Sequence, residues 1–341
     1  MDQGVVVNQT VESRQESMKA VVAADYGPPE RYAVAEVPVP RPGLGQMRVR
    51  IAAASVNPAD VRLPGGEFRG VVEAQFPYIP GVDFAGTVTE IGEGVSAYAV
   101  GDEVFGTAVP RVLRAMAGTR PSVGTGAMAQ YAVVEADTPL IAHRPAGLAA
   151  PDAAALATAG QAALATVRAA DVRAGERVLV VGATGGVGTA VLPLLAAAGA
   201  HVIATATDAD AEVVRGLGAK EVIGYQQADY PVGDVDVAIN VVLPGDRLAG
   251  VAAALRAGGR LVTITFPITT AEMIGRDDVE VRFILDMDGE LASMREVGEA
   301  GARGELRATI ARRYSLEEGP QACADFLREH TLGKRVVVVG M

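Results

Sequence analysis

Arg177-Val-Leu-Val-Val-Gly-Ala-Thr-Gly-Gly-Val-Gly188 is the stretch that decides the fold of this chain. In it, an apolar run of strand length stops at a glycine turn, and an Ala- and Leu-rich helical stretch follows as far as Gly199. A second apolar run, His201-Val-Ile-Ala-Thr205, begins directly afterwards. This order predicts a βαβ unit whose first turn is shaped to hold a pyrophosphate.

Three glycines shape that turn. Gly185, Gly186 and Gly188 let the backbone turn tightly and come close to a bound phosphate, while the start of the helix offers unpaired N–H groups and a positive dipole end. Ala183 occupies the first position of the G-x-G-x-x-G pattern, so the pattern alone leaves open an ordinary strand-to-helix turn. The flanking strands favour a dinucleotide site. The expected cofactor-binding residues of the turn are Ala183, Thr184, Gly185, Gly186, Val187 and Gly188.

Composition and charge limit the classes of partner. The chain has 341 residues, 50% of them hydrophobic, which is enough for one large core or two ordinary domains. The net charge of −11 argues against nucleic acid and against an anionic membrane surface as partners. We therefore expect neither nucleic acid nor a membrane as a partner.

Candidate metal ligands are scarce. Cys323 is the only cysteine, and the three histidines, His143, His201 and His330, are not spaced as metal ligands. We therefore expect no metal site, and no zinc in particular. The sequence suggests no partner for His143 or His330, and both are interpreted as structural.

No apolar segment is long enough to span a bilayer, and the N-terminus lacks the apolar core of a signal peptide. These observations predict a cytoplasmic protein. Residues 1–17 are polar and patternless, whereas Met18-Lys-Ala-Val-Val is typical of the start of a strand. We expect residues 1–17 to form a loosely ordered extension.

Two sequence patterns divide the chain after residue 17 into a β-rich unit and an α/β unit. Short β-type runs separated by Gly and Pro, from Met18 to about Tyr131, predict a β-rich barrel unit. A helical stretch follows at 151–170. Past Gly175, strands and helices alternate, which predicts an α/β unit with a parallel sheet covered by helices on both faces. The expected strands are 177–183, 201–206, 221–225, 235–242, 260–266 and 279–285, followed by helices at 289–302 and 316–329 and a strand at 335–339.

Seven short motifs together resemble a known family, the medium-chain dehydrogenase/reductase superfamily in its zinc-free quinone oxidoreductase (zeta-crystallin-like) branch. They occur in family order from about residue 18 to the C-terminus. The motifs are Ser55-Val-Asn-Pro-Ala-Asp60, Ile79-Pro-Gly-Val-Asp-Phe-Ala-Gly86, Val100-Gly-Asp-Glu-Val-Phe-Gly106, Gly182 to Gly188, Leu217-Gly-Ala-Lys-Glu-Val-Ile-Gly-Tyr225, Gly258-Gly-Arg260 and Gly333-Lys334.

The resemblance implies a GroES-like β-barrel-type catalytic domain over residues 18–149 and a Rossmann dinucleotide-binding domain, with a doubly wound parallel sheet, over residues 150–286. Residues 287–341 would return to the catalytic domain. Zinc-dependent members carry His-Glu where this chain has Val82-Asp83, and a zinc-ligand Cys or Asp near Asn57. The resemblance therefore implies hydride transfer without zinc.

The end of the second strand bears on the choice of cofactor. In NAD-dependent sites an acidic side chain there binds the ribose 2′-hydroxyl. This chain has Thr205, Ala206 and Thr207 instead, which favours NADPH and leaves NADH possible. Tyr225 matches the tyrosine that lies against the 2′-phosphate in NADPH-dependent relatives. Asp208 is explained either as a helix N-cap or as a ribose ligand. Expected cofactor-binding residues near the later strand ends are Val242, Phe266 and Leu285.

The catalytic candidates are Asn57, Asp60 and Arg62. By resemblance, Asn57 and Asp60 form the family's Asn-Pro-x-Asp motif beside the nicotinamide. An amide there can donate to a substrate oxygen on which charge develops, with Asp60 holding Asn57 or the ribose and Arg62 assisting the oxyanion. The alternatives are a plain turn at Asn57-Pro58 and a solvated surface charge at Arg62.

The implied activity is NADPH-dependent reduction of a quinone or an α,β-unsaturated carbonyl. Two alternatives stay open: an enoyl-thioester reductase of a biosynthetic pathway, and a cofactor-binding protein without turnover, which departures from the family at Ala162 and Asn240 allow. The family also implies a homodimer paired through the strand near Val279–Leu285. Residues 107–125, with Arg111, Arg114 and Arg120, form either a substrate-selecting lid or a surface loop.

Overall fold

The computed structural model of this chain describes residues 16–108, 122–123, 126–225 and 230–340. The expected N-terminal extension lies outside the described residues except for its last two positions. Most of the expected lid, with Arg111, Arg114 and Arg120, also lies outside them. Among the described residues, no helix has the length and apolar character needed to cross a membrane.

The first part of the chain forms mainly β-strands separated by Gly- and Pro-containing turns. In the third strand the buried residues Met47, Val49 and Ile51 alternate with more exposed ones, because successive side chains of a strand point to opposite faces. The elements are β1 (Ser17–Val22), β2 (Ala33–Pro38), β3 (Gln46–Ser55), α1 (Pro58–Gly65), β4 (Glu73–Ala74), β5 (Asp83–Ile91), β6 (Glu103–Thr107), β7 (Ser122–Val123), β8 (Tyr131–Glu135) and β9 (Ile141–His143).

The middle of the chain alternates between helices and strands. Its elements are α2 (Ala150–Ala170), β10 (Arg177–Val181), α3 (Gly186–Ala197), β11 (His201–Thr205), α4 (Ala211–Gly216), β12 (Glu221–Ile223), β13 (Val235–Asn240), α5 (Ala249–Ala253), β14 (Leu255–Thr263), α6 (Ala271–Ile274) and β15 (Glu280–Phe283). The six strands lie parallel in the order β12-β11-β10-β13-β14-β15. This sheet confirms the α/β prediction. The strand order reverses between β10 and β13, which is where ligands bind in folds of this kind.

The C-terminal part of the chain adds strands to the sheet that contains β3, β5, β6 and β9, which is called the first sheet below. The C-terminal elements are α7 (Met294–Ala302), β16 (Ile310–Ser315), α8 (Gly319–Arg328) and β17 (Lys334–Val338). The first sheet has the order β16-β17-β3-β5-β6-β9, and β8 also pairs with β3. Helix α7 begins at Met294 and not at the predicted residue 289. Its start is fixed by a capping box between Ser293 and Glu296.

Strand β10 is buried on both faces, which explains its unbroken apolar run. Val178 and Val180 pack in one hydrophobic cluster with residues of α2 and α3. Leu179 and Val181 pack in a second cluster, which includes Val251 of α5. The helices therefore cover both faces of the parallel sheet.

Helix α2 packs against both sheets. It contacts β3, β5 and β6 of the first sheet and β13 and β14 of the parallel sheet. Small side chains permit this close approach, and Ala153, Ala157 and Ala163 are fully buried. The same packing brings Thr158 to the beginning of β5, where Asp83 lies.

Candidate active site

The glycine-rich turn joins β10 to α3 at the reversal point of the parallel sheet. The first backbone hydrogen bond of α3 runs from the Thr189 N–H to the Gly185 carbonyl, with an N···O distance of 2.9 Å. The N–H groups of Gly186, Val187 and Gly188 therefore precede the hydrogen-bonded ladder of the helix. Such a helix start fits the pyrophosphate of a dinucleotide.

The glycines of this turn serve different purposes. A β-carbon at Gly188 would overlap the Gly182 carbonyl and the Ala183 backbone, so α3 could not begin this close to β10. A β-carbon at Gly185 would meet only the Gly182 carbonyl oxygen, at 3.5 Å. Packing within the chain thus requires glycine at 188, whereas at 185 the space lies open to a ligand.

Residues 330–334, called the C-terminal segment below, contact the glycine-rich turn. The Gly333 N–H donates to the Thr184 carbonyl at 2.7 Å. The Lys334 side chain packs on Gly186, where a β-carbon would overlap it. Further along, His330 Nε2 lies 2.7 Å from Asp210 Oδ2. The segment therefore reaches from the glycine-rich turn to the loop that follows β11.

Strand register gathers buried polar side chains around Asp83. This residue lies opposite Ser55 on β3 and opposite Thr107 on β6. The Ser55 hydroxyl donates to Asp83 Oδ2 at 2.9 Å, and the Thr107 hydroxyl donates to Oδ1 at 3.3 Å. From α2, the Thr158 hydroxyl donates to Oδ1 at 2.5 Å. These hydroxyl groups solvate a carboxylate that is fully buried.

Asn57 and Lys334 complete the polar cluster. Asn57 Nδ2 donates to Asp83 Oδ2 at 2.7 Å, and Lys334 Nζ donates to Asn57 Oδ1 at 2.6 Å. Lys334 Nζ also donates to the Val56 carbonyl at 2.9 Å and lies 3.5 Å from Asp83 Oδ2. Burial lowers the pKa of Lys334, and the nearby carboxylates of Asp83 and Asp60 oppose that shift. Asn57 is thus held between a carboxylate and an ammonium group.

Asp60 lies in the first turn of α1, three residues after Asn57, and is fully buried. Its Oδ2 accepts the Asn57 N–H at 2.7 Å, and its Oδ1 accepts the N–H groups of Gly81 at 2.7 Å and Val82 at 3.0 Å. Burial raises the pKa of Asp60 to about 7, against the opposing effect of the Asn57 and Gly81 hydrogen bonds. Asp60 therefore ties the backbone of Asn57 to the backbone of Gly81 and Val82.

Arg62 stands apart from this cluster. Its side chain is 52% exposed and its Nε lies 3.7 Å from Glu67 Oε2, a distance typical of a weak surface ion pair. The structure therefore brings Asn57 and Asp60 together and leaves Arg62 on the surface of α1.

Three residues belong to the site although the sequence analysis assigned a role to none of them. They are Asp83, Thr158 and Lys334. Val82-Asp83 and Gly333-Lys334 lie within the family motifs, so these motifs carried the signal for two of the three. Thr158 lies four residues before Ala162 on an alanine-rich helix, and the sequence contains no signal for it.

The loop after β11 lies beside the glycine-rich turn, at the carboxyl end of the second parallel strand. The Thr205 hydroxyl accepts the Gly182 N–H at 3.0 Å and donates to the Val180 carbonyl, so it supports the glycine-rich turn from within. The Thr207 hydroxyl donates to Asp210 Oδ2 at 2.7 Å. Partial burial disfavours the ionised form of Asp210, but hydrogen bonds from His330 and Thr207 outweigh it and lower the pKa of this carboxyl.

His330 and Tyr225 stack at this end, with ring centroids 5.7 Å apart and an interplanar angle of 12°. Since a carboxylate only accepts hydrogen bonds, His330 Nε2 carries the proton in its contact with Asp210. The sequence suggested no partner for His330, and the structure supplies one in Asp210. His143 also has one, because its Nε2 lies 3.0 Å from Asp102 Oδ2.

Exposed apolar side chains follow the carboxyl ends of the later strands. Val242, Phe266 and Leu285 are 58%, 56% and 57% exposed. Val242 lies against Gly182, where a β-carbon would come within 2.8 Å of its side chain. Asn240 holds the loop after β13, since its Nδ2 donates to the Leu243 carbonyl at 2.8 Å. These apolar residues lie at the sheet edge that carries the glycine-rich turn.

The donor chemistry of the site does not suit a metal. Within the described ranges, no group of three or more His, Cys, Asp or Glu side chains could hold a metal ion. Asp83, at the position of the zinc-dependent family's Glu, is occupied by hydroxyl, amide and ammonium donors.

Two family models match the chain. The alcohol dehydrogenase GroES-like domain matches residues 43–145, and the zinc-binding dehydrogenase model matches residues 217–337. The chain is 30% identical over 342 residues to the quinone oxidoreductase of Mus musculus, with 94% of this chain and 96% of that protein covered. The chain belongs to the medium-chain dehydrogenase/reductase superfamily, in its quinone oxidoreductase branch.

Two further comparisons agree with this assignment. The 2-methylene-furan-3-one reductase of Solanum lycopersicum is 30% identical over 279 residues, covering 80% of this chain and 67% of that protein. The solved structure of the quinone oxidoreductase from Coxiella burnetii has a TM-score of 0.81 at 27% identity, covering 95% of this chain and 100% of that one. The GroES-like fold and the oxidoreductase class are thereby confirmed, and the superfamily implies a nicotinamide cofactor.

Proposed function

We propose that this protein is an NADPH-dependent, zinc-independent oxidoreductase that transfers hydride to a quinone or to the activated C=C bond of an α,β-unsaturated carbonyl. The observation that carries the proposal is the position of Lys334. Its side chain packs on Gly186 of the glycine-rich turn while its ammonium donates to Asn57, so the cofactor-binding turn and the polar cluster meet at one residue. The names of the mouse and tomato relatives, one a quinone and one an enone enzyme, support the substrate class.

The end of β11 supports NADPH over NADH. The buried Ala206 stands where a carboxylate would bind a ribose 2′-hydroxyl. The nearby carboxylate of Asp210 is engaged by Thr207 and His330, which offsets its repulsion toward a phosphate. Thr207, Tyr225 and His330 would surround the 2′-phosphate, while Gly186, Val187 and Gly188 would bind the pyrophosphate.

A bound nicotinamide supplies the hydride. The protein positions the reactants and stabilises the oxygen on which negative charge develops. One N–H of Asn57 is committed to Asp83, but the other makes only a 3.4 Å contact with the Ser55 carbonyl, which is long for a hydrogen bond. We assign this second N–H to the reacting oxygen of the substrate. Arg62, on the exposed surface of α1, lies apart from Asn57 and is given no part in this step. Water would supply the proton.

The exposed strand ends would contact the reacting groups. Val242, Phe266 and Leu285 offer apolar surface to a nicotinamide and to a flat, apolar substrate. Among the strands that the structure describes, β15 pairs only with β14, so its outer edge can pair with a second copy of the chain. This edge supports the homodimer that the family implies.

A substrate panel tests the proposal. The purified protein is incubated with NADPH and either a simple quinone, an alkyl enone or an enoyl thioester, using NADPH deuterated at the transferred position. We expect NADPH oxidation with the quinone or the enone, and deuterium on the β-carbon of the reduced enone. Turnover with the thioester alone would instead support an enoyl-thioester reductase. Tight NADPH binding without turnover would support a binding protein and contradict the proposal.

A further inference from the structure

We propose that Lys334 is a positioning residue that fixes the orientation of the Asn57 amide and couples it to the glycine-rich turn. Lys334 has a kinetic role only if the chain transfers hydride as proposed above. The orientation of the amide can be measured independently of that activity.

The two partners of Asn57 cannot exchange roles. Asp83 Oδ2, 2.7 Å from Asn57 Nδ2, belongs to a carboxylate, which accepts hydrogen bonds in its ionised form. Lys334 Nζ, 2.6 Å from Asn57 Oδ1, belongs to an ammonium group, which only donates. A flipped amide would place its oxygen against the carboxylate and its N–H groups against the ammonium. Only one orientation of Asn57 is therefore compatible with both neighbours.

Lys334 is anchored at both ends of its side chain. Its methylene groups pack on Gly186, at a position where any β-carbon would overlap them. Its ammonium donates to the Val56 carbonyl at 2.9 Å as well as to Asn57, and the whole side chain is 8% exposed. Its backbone N–H donates to the Thr309 carbonyl at 2.8 Å, which fixes the start of β17. A displacement of the glycine-rich turn is therefore transmitted to Asn57 through one rigidly held side chain.

The second N–H of Asn57 depends on this arrangement. With Oδ1 directed to Lys334 and one N–H directed to Asp83, the remaining N–H has a fixed direction. Without the ammonium, Oδ1 loses its charged donor, and the amide is held less firmly against Asp83. Lys334 thus acts on the reaction through Asn57 and needs no contact with the substrate.

The side-chain amide of Asn57 can be observed directly by NMR. The chain contains only three asparagines, Asn8, Asn57 and Asn240, so asparagine carrying an NMR-active nitrogen isotope in its side chain gives three pairs of amide signals. Asn57→Ser removes one pair and thereby assigns it. We expect two distinct, slowly exchanging Asn57 signals in the parent. In Lys334→Met, which keeps the apolar packing on Gly186, these signals should shift and broaden while the Asn240 pair stays unchanged. Unmoved Asn57 signals would overturn the proposal.

A double-mutant cycle tests the kinetic consequence. Lys334→Met should lower kcat by about 100-fold, as expected when a reacting group is misplaced by about 1 Å. The Kd of NADPH, measured by nicotinamide fluorescence, should stay within about threefold of the parent. Because Lys334 acts through Asn57, adding Lys334→Met to Asn57→Ala should cause no further loss. Losses that multiply would show that Lys334 acts independently of Asn57.

Two further variants control this experiment. Lys19→Met removes an exposed lysine paired with Glu317 and should leave both the NMR signals and kcat unchanged. If Lys334→Met fails to fold, Asp83→Asn/Lys334→Met removes both charges of this pair, so that neither is left buried without the other. Its additional asparagine adds a fourth pair of amide signals, which Asn57→Ser in the same background separates from the Asn57 pair. The double variant should show the same broadened Asn57 signals, and sharp signals at the parent positions would contradict the proposal. If the parent lacks turnover, the proposed function fails and the NMR result alone decides the role of Lys334.

Discussion

His330 Nε2 lies 2.7 Å from Asp210 Oδ2, and this contact joins the C-terminal segment to the loop that follows the second strand of the parallel sheet. The same imidazole stacks on Tyr225. The contact therefore lies where the proposed NADPH would place its 2′-phosphate, and it engages a carboxylate whose repulsion of that phosphate it would reduce.

Removing His330 should weaken NADPH binding and leave NADH binding almost unchanged. In His330→Ala, Asp210 loses one of its donors and repels the 2′-phosphate more strongly. We expect the Kd of NADPH to rise about tenfold, which corresponds to about 1.4 kcal/mol. Titration by nicotinamide fluorescence measures both cofactors. His143→Ala breaks a comparable imidazole–aspartate pair elsewhere and serves as the matched control. An equal loss for both cofactors would exclude a role specific to the phosphate.

The fold was largely predictable because it depends on local patterns. Apolar runs that end at glycine turns, such as Arg177–Val181 before Gly182, predicted most of the parallel strands to within a few residues. The strand predicted at 260–266 begins earlier, at Leu255. The alanine-rich helix predicted from residue 151 begins at Ala150. Such elements need only near neighbours in sequence to be recognised.

The polar cluster was only partly predictable because its members meet through long-range pairing. Lys334 and Asn57 are 277 positions apart, and their contact depends on β17 pairing with β3. Asp83 meets Thr158 through the packing of α2 on the first sheet. His330 meets Asp210 across 120 positions. No local sequence pattern encodes such contacts. The roles of these residues therefore could not be predicted from the sequence.

Asp60 should make the stability of the protein depend on pH in an unusual direction. Its pKa in the folded protein is about 7, raised from 3.8 by burial. Between these values the folded state binds more protons at this site than the unfolded state, so its contribution to stability falls as pH rises. Urea unfolding of the parent and of Asp60→Asn should therefore show the parent's advantage shrinking from about pH 4 to about pH 7 and then levelling off. An advantage that grows with pH over this range would show that Asp60 is ionised at low pH in the folded state.

Substitutions at Gly188 and Gly185 should affect folding and cofactor binding, respectively. Gly188→Ala places a β-carbon against the Gly182 carbonyl, so we expect a loss of stability of about 1–3 kcal/mol, typical of overpacking. Gly185→Val meets no comparable overlap within the chain and should leave the unfolding transition close to that of the parent. Because its side chain enters the space of the pyrophosphate, it should abolish NADPH binding. Thermal unfolding and fluorescence titration decide this prediction, and unchanged NADPH affinity in Gly185→Val would assign the turn another role.

The protein should contain no zinc after purification. Asp83 is occupied by Asn57, Lys334 and hydroxyl donors, and the described residues contain no set of three ligands for a metal. We expect substoichiometric zinc by elemental analysis and full activity after dialysis against a strong chelator. One firmly bound zinc ion per chain, with activity lost on its removal, would refute the proposed mechanism.

The most direct test of NADPH-dependent reduction is the ratio of kcat/KM for NADPH to that for NADH, measured with one quinone on the parent, Ala206→Asp and Ala206→Ser. A carboxylate about 4 Å from the 2′-phosphate repels it by roughly 4 kcal/mol at an effective dielectric constant near 20, and less with exposure to water. We predict that the parent prefers NADPH, that Ala206→Asp prefers NADH, and that the uncharged Ala206→Ser keeps the parent's preference. A parent that prefers NADH, with a preference that Asp208→Ala reverses, would contradict the account.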